Sequence, residues 1–402
     1  MYAKTRIAFF LTMLATFTFP GFAADAPTEE KIDWDKARKI HHKETSGQSL
    51  TAEESTFLQH AKEVRQKMMQ EGRNPEPNAP AGNGQGRAGG GPVAPAKEFT
   101  GMVPLTQFKG DAKYKGEDGG LYGGGSNVPP ADHLRAAMEQ SRKVVPLGPD
   151  GKPAVDGKIA LLSIGMSNTT MEFSKFKEIA DADPAKNGKL VIVDGAQGGK
   201  EATAWSGRVP ERAKGVWETV DRRIAAAGVT PAQVQVLYIK QAIAGPSLLG
   251  EFPKHARQLE TDLQVFLNRA RQKWPNVRLA YLSSRIYAGY ASTPLNPEPY
   301  AYEGAFSMRW LIQDQIKGDP KLNYDPVKGP VTSPLLLWGP YLWADGVKGR
   351  DGDDLVYKRE DLGPDGTHPS PTGRQKVADL LLKFIKTDPT AKPWFLKESK
   401  AE

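Results

Sequence analysis

"KIALLSIGMSNTT", residues 158–170, is the stretch on which the fold turns. Its first part, "KIALLSIG" (158–165), is a short apolar run that closes on a glycine, and polar hydroxyl-bearing residues follow at once. Such a run, bounded by turn residues, reads as a strand buried on both faces. The same form returns at "KLVIVDG" (189–195), "AQVQVLYIKQA" (232–242), "VRLAYLSSR" (277–285) and "SPLLLWG" (333–339). Helical patterns lie between these runs. "ERAKGVWETVDRRIAAAG" (211–228) spaces Val216, Val220 and Ile224 by fours, and "HARQLETDLQVFLNRARQKW" (255–274) sets Leu259, Leu263 and Phe266 on one stripe. Strands alternating with helices predict an α/β fold: a three-layer, doubly wound sandwich around a central, mostly parallel five-stranded sheet.

Sheets of this kind place their sites beyond the carboxyl ends of the strands. After the first strand comes "IGMSNTT", with Ser167; after the second, "DGAQGG", with Gly195. After the third comes "KQA", with Gln241, and after the fourth "SSRIY", with Ser283, Ser284 and Arg285. A final loop, "GPDGTHPSPTGRQKVADLLL" (363–382), brings Asp365 and His368 ahead of the last helix. There Ser370 reads as the N-cap and Pro371 as the first helical residue, where its missing N–H costs nothing. Val377, Leu381, Phe384 and Ile385 supply the apolar stripe of that helix.

In this order and spacing, residues 158–386 resemble the SGNH (GDSL) hydrolase family, named for four blocks carrying Ser, Gly, Asn and His. Gly165-Met166-Ser167 matches the first block, with Met in place of the usual Asp. Gly195-Ala196-Gln197-Gly198 matches the G-x-x-G turn, and Asp365 with His368 matches D-x-x-H. The third block, G-x-N, is absent, and Gln241 is the amide side chain at that strand end. The resemblance implies Ser167 as nucleophile, His368 as its base and Asp365 as the group orienting the base. A serine hydroxyl is a poor nucleophile until such a base takes its proton. The oxyanion hole would then comprise the N–H groups of Ser167 and Gly195 and the side chain of Gln241. No cofactor and no metal are expected. The implied activity is that of a serine esterase working through an acyl-enzyme, on a small-molecule or polysaccharide ester such as an O-acetylated carbohydrate. Two alternatives stand beside it: a non-catalytic envelope binding or scaffold protein that keeps the fold, and an acyltransferase.

The remaining features bound these readings. The chain has 402 residues, 39% hydrophobic, with 41 glycines and 32 prolines, so part of it reads as linker. The net charge of +7 is spread among acidic residues rather than gathered in a stripe, which argues against nucleic acid as a partner. The absence of cysteine excludes disulfides, thiolate metal sites and a Cys nucleophile. Lys4 and Arg6 before "IAFFLTMLATFTF" (7–19) and "PGFAADA" read as an export signal, 1–23, predicting a periplasmic or secreted protein with no later membrane span. Residues 24–73 read as a helical hairpin with a capping box from Thr51 to Glu54, and residues 74–98 as a flexible Pro/Gly linker. Residues 99–400 form the α/β domain. His41, His42 and His60 read as solvated helix surface. "YGGGSN" lacks the spacing of a phosphate loop and reads as an ordered loop on the main domain. Asp351, Asp353 and Asp354 read as a solvated loop rather than a calcium site. Trp205 and the aromatics of "WGPYLWADG" (338–346) fit either a sugar cleft or the core.

Overall fold

The computed structural model describes residues 95–397, residues 49–70 and scattered positions from 32 to 43. The chain divides into two compact units, 1–83 and 84–402. The expected export signal lies outside the described residues, as do His41, His42 and positions 74–94 of the expected linker. In the first unit, helix α1 (Ala52–Gln70) starts with the anticipated capping box. The Glu54 amide donates to Thr51 Oγ1 at 3.2 Å, and the Thr51 amide donates to Glu54 Oε2 at 2.9 Å. Ala37, Ile40, Leu58 and Ala61 are buried, and Lys43 Nζ pairs with Glu54 at 3.0 Å.

The second unit is built on five strands, β1 (Ile159–Gly165), β2 (Leu190–Asp194), β3 (Val234–Lys240), β4 (Leu279–Ser283) and β5 (Leu335–Trp338). They lie in the order β2-β1-β3-β4-β5, and every pairing is parallel. β1, β3, β4 and β5 are buried along their whole length, which is why each reads as an unbroken apolar run. Register sets which residues share a face. Ser163 pairs with Tyr238 and Tyr238 with Tyr281, so these side chains point the same way. On that face Tyr238 stacks on Phe173 of helix α3 (Ser167–Asp181) and Tyr281 meets Phe384 of helix α9 (Pro371–Thr387). Helix α8 (Tyr300–Lys317) packs against β4 and β5, and α7 (Lys254–Lys273) packs against α8.

Two features differ from the sequence reading, and a third settles an alternative it left open. The helix expected over 211–228 is two pieces, α5 (Pro210–Ala213) and α6 (Val216–Ala226), because Gly215 takes φ +73 between them. Nearly all of α8 is buried, so it lacks the polar face that would have announced it. Trp205 is fully buried in α4 (Ala202–Ser206) against Trp217 and Phe266, and Trp338, Tyr341 and Trp343 are buried too. These aromatics are core. The glycine-rich loop around 110–130 does pack on the domain: Arg309 Nη1 donates to the Asp118 carbonyl at 2.6 Å, and Trp338 Nε1 donates to the Leu121 carbonyl at 2.6 Å. Among the described residues, no helix is long and apolar enough to cross a membrane.

One polar residue interrupts the apolar logic of β3. Lys240 ends that strand 1% exposed, with its ammonium paired to Glu172 of α3, itself 1% exposed. Burial pushes the Lys240 ammonium below its usual range, and the Glu172 charge opposes that push. Lys240→Met would leave Glu172 as a lone buried charge and should cost about 3–5 kcal/mol in urea unfolding. The double variant K240M/E172L should recover most of the loss.

Candidate active site

Gly165 closes β1, and a Cβ there would stand 2.2 Å from Thr169 Oγ1. The strand can therefore turn straight into α3 only with glycine at this point. Thr169 Oγ1 donates to the Lys240 carbonyl at 2.7 Å, pinning the first turn of α3 to the end of β3. A second anchor is Asp194 at the end of β2. Its carboxylate accepts Ser163 Oγ at 2.6 Å, Ser174 Oγ at 2.9 Å and the Thr170 hydroxyl. Ser167 is thus held as the first residue of a fixed helix. Among the described residues its own N–H has no acceptor, as expected for a first-turn amide.

The loop carrying Asp365 and His368 is folded as tightly. The Gly363 amide donates to the His368 carbonyl at 2.7 Å, and the Gly366 amide donates to the Gly363 carbonyl at 2.9 Å. Gly366 takes φ +63, and a Cβ on it would lie 1.8 Å from the Tyr290 carbonyl oxygen, so no other residue fits. Ser292 clasps the same turn, donating its amide to the Asp365 carbonyl at 2.9 Å. Ser370 caps α9 by accepting the Gly373 amide at 3.4 Å. Asn168 Nδ2 donates to the Thr367 carbonyl at 2.8 Å and ties this loop to α3.

These two assemblies bring Ser167, His368 and Asp365 into one chain of hydrogen bonds. Ser167 Oγ lies 2.7 Å from His368 Nε2, and His368 Nδ1 lies 2.6 Å from Asp365 Oδ2. Asp365 Oδ1 accepts the amides of Thr367 at 3.1 Å and His368 at 3.0 Å. With Nδ1–H donated to the carboxylate, Nε2 is the ring nitrogen that can accept the serine proton. Burial acts to raise the Asp365 carboxyl. The hydrogen bonds from the His368 ring and amide and from the Thr367 amide outweigh it, and they hold the group at about 2.

The expected oxyanion donors are not all so placed. The Gly195 N–H is donated to Ser163 Oγ at 3.1 Å, inside the sheet, so it is not free for an oxyanion. Gln241 turns toward the loop after β2, donating Nε2 to the Lys200 carbonyl at 3.3 Å, while its Oε1 is buried without a partner. In that same loop the amides of Gly198 and Gly199 make no hydrogen bond among the described residues. The loop lies against the end of β1 through the Gln197 amide, which donates to the Gly165 carbonyl at 3.0 Å. Sequence reasoning picked the first glycine of the G-x-x-G turn, and the second carries the free amide. Asn168, Thr169 and Asp194 were also missed, since only the folded register brings their partners near. His255 and His133 sit elsewhere: His255 Nε2 is 2.7 Å from Glu303 Oε2, and His133 Nε2 is 2.8 Å from the Leu336 carbonyl.

No family's sequence model matches the chain, and no curated protein does. Among solved structures the chain is similar to a gut microbial diltiazem-metabolizing enzyme, with 14% identity over 58% of this chain and a TM-score of 0.31. The match covers 47% of that enzyme, so the chain spans about half its length. A likeness at this level assigns neither activity nor substrate.

A carboxyl lowered from 3.8 to about 2 stabilises the fold above pH 3.8, and that stability is lost as pH falls through about 2. The shift corresponds to about 2 kcal/mol. The stability gap between wild type and Asp365→Asn, measured by urea unfolding, should therefore narrow by roughly that amount as pH falls from about 5 to about 2.

Proposed function

We propose that the protein is an exported serine esterase of the SGNH type. The observation that carries this reading is the pair of hydrogen bonds linking Ser167 Oγ, His368 and Asp365, at 2.7 and 2.6 Å. Ser167 Oγ attacks the ester carbonyl while His368 Nε2 takes its proton. Asp365 steadies the imidazolium that forms and does not itself take the proton. The carbonyl oxygen, now anionic, is met by the free amides of Ser167 and Gly198, and the positive end of α3 adds to their field. Collapse of this intermediate releases the alcohol with the proton carried by His368, leaving the acyl group on Ser167. Water, activated by the same histidine, then frees the acid. O-acetylated carbohydrate is the substrate class to assay first. The aromatic side chains that could have lined a sugar cleft are buried in the core, so the choice rests on the resemblance and the expected export alone.

A fluorophosphonate probe should label the wild type and fail to label Ser167→Ala. His368→Gln should lower kcat/KM for an aryl acetate by about 10³-fold or more. Absence of labelling in the wild type would sink the esterase reading and favour a non-catalytic scaffold. A working oxyanion donor contributes about 10²–10³ in kcat. Gln241→Ala should instead stay within about threefold of wild type, and a hundredfold loss would restore Gln241 to the oxyanion hole.

A further inference from the structure

A cleft of about 590 Å³, the size of a small-ligand site, opens between the first half of helix α2 (Ala131–Arg142), the last turn of α8 and the turns of 318–330. The strands are parallel, so α8 carries the chain from the carboxyl end of β4 back to the amino end of β5. The cleft therefore lies at the amino edge of the sheet, beside its outermost strand. Ser167 stands at the opposite edge, just beyond β1.

Much of the polar wall is committed to structure. Gln315 donates to the Leu322 and Pro334 carbonyls at 2.8 and 2.9 Å and accepts the Leu336 amide at 2.7 Å. Asn323 Nδ2 holds the carbonyls of Asp325, Gly329 and Pro330, and Asp132 pairs with Arg135 at 2.8 Å. His133 lines the cleft while only 5% exposed, fixed by Nε2, which donates to the Leu336 carbonyl at 2.8 Å. With that nitrogen protonated, Nδ1 carries the lone pair, and it has no partner among the described residues. Burial holds the ring below its usual range, so it stays neutral at pH 7. The Glu139 carboxylate, the Tyr324 hydroxyl and the Lys328 ammonium also line the cleft with no hydrogen bond or ion pair among the described residues.

These free groups define what fits. A lone-pair nitrogen and a carboxylate only accept, so the ligand must donate hydrogen bonds. A simple anion donates none and would meet the Glu139 and Asp325 carboxylates. Lys328 donates in return, so the ligand must also accept, which an alkylammonium cannot do. The rest of the wall is C–H surface from Pro130, Pro320, Pro330 and Ile316, with the Tyr324 ring edge-on to His133 at 6.3 Å. Hydroxyl groups both donate and accept, and a sugar ring carries them around faces of C–H groups.

We propose that this cleft is a saccharide-binding site, in which His133 Nδ1 and Glu139 accept sugar hydroxyls while Lys328 and Tyr324 donate to them. It lies away from the strand ends where this kind of sheet places its chemistry, so it holds a sugar without acting on it. The inference does not depend on the reading of Ser167 as a nucleophile.

The test is an NMR titration of the isotope-labelled full chain with xylotriose, cellotriose, maltotriose and chitotriose, each raised to about 20 mM so that millimolar binding is seen. At least one should shift the His133 ring signals and the amides of 316–330, with the same Kd in wild type and Ser167→Ala. Glu139→Ala and Tyr324→Ala should each weaken that binding about tenfold, the contribution of one hydrogen bond. Added salt should leave the Kd unchanged, because no net charge is bound. Glu139 is an exposed helix position, so its variant decides the matter if Tyr324→Ala does not fold. No response at the cleft to any of the four sugars, a response confined to residues beside Ser167, or a cleft that takes choline instead and releases it in salt would overturn the proposal.

Discussion

The hydrogen bond from Asn168 Nδ2 to the Thr367 carbonyl joins parts of the chain 199 residues apart. Everything at the candidate site depends on that closure. On one side of it, the glycine at the end of β1 lets a helix begin within two residues of the strand. On the other, a turn with a left-handed glycine presents a carboxylate and an imidazole in fixed order. Neither half has the relevant geometry alone. A single buried hydrogen bond contributes about 1 kcal/mol net, so the closure also relies on the packing of α9 against α3.

The electrostatics of this sheet edge depend on burial as much as on contact. Lys240, Glu172 and Arg285 are almost wholly enclosed near the carboxyl end of the sheet. Charges in such surroundings interact more strongly than they would in water, because little solvent stands between them. They also cost desolvation, which well-packed apolar side chains would avoid.

Much of the architecture was legible because a parallel sheet covered on both faces writes itself as separate apolar runs. Ser167, Asp365 and His368 were legible because such a sheet gathers its strand ends at one edge, so order along the chain becomes proximity. What stayed hidden has physical reasons. Gly215 breaks the stretch 211–228, whose apolar spacing at Val216, Val220 and Ile224 lies wholly beyond the break. Gly195 and Gly198 are the same residue type in one turn, and only the register with Ser163 decides which amide is consumed. Gln241 has the right chemistry at the right strand end, but its orientation follows from the Lys200 carbonyl, which no local pattern announces. Trp205 and Trp343 looked available to a ligand because aromatics serve cores and clefts equally well.

The close approach of Gly366 to the Tyr290 carbonyl has a consequence for how the site comes into being. The backbone of 290–292 is the seat on which the turn carrying Asp365 and His368 settles, and it follows β4 in the chain. Ser167 is synthesised well before Asp365 and His368, with most of the sheet between them. Contacts of such long sequence separation form slowly and near the end of folding. A partly folded chain therefore carries Ser167 apart from His368, and the Ser167–His368–Asp365 chain of hydrogen bonds is a property of the completed molecule.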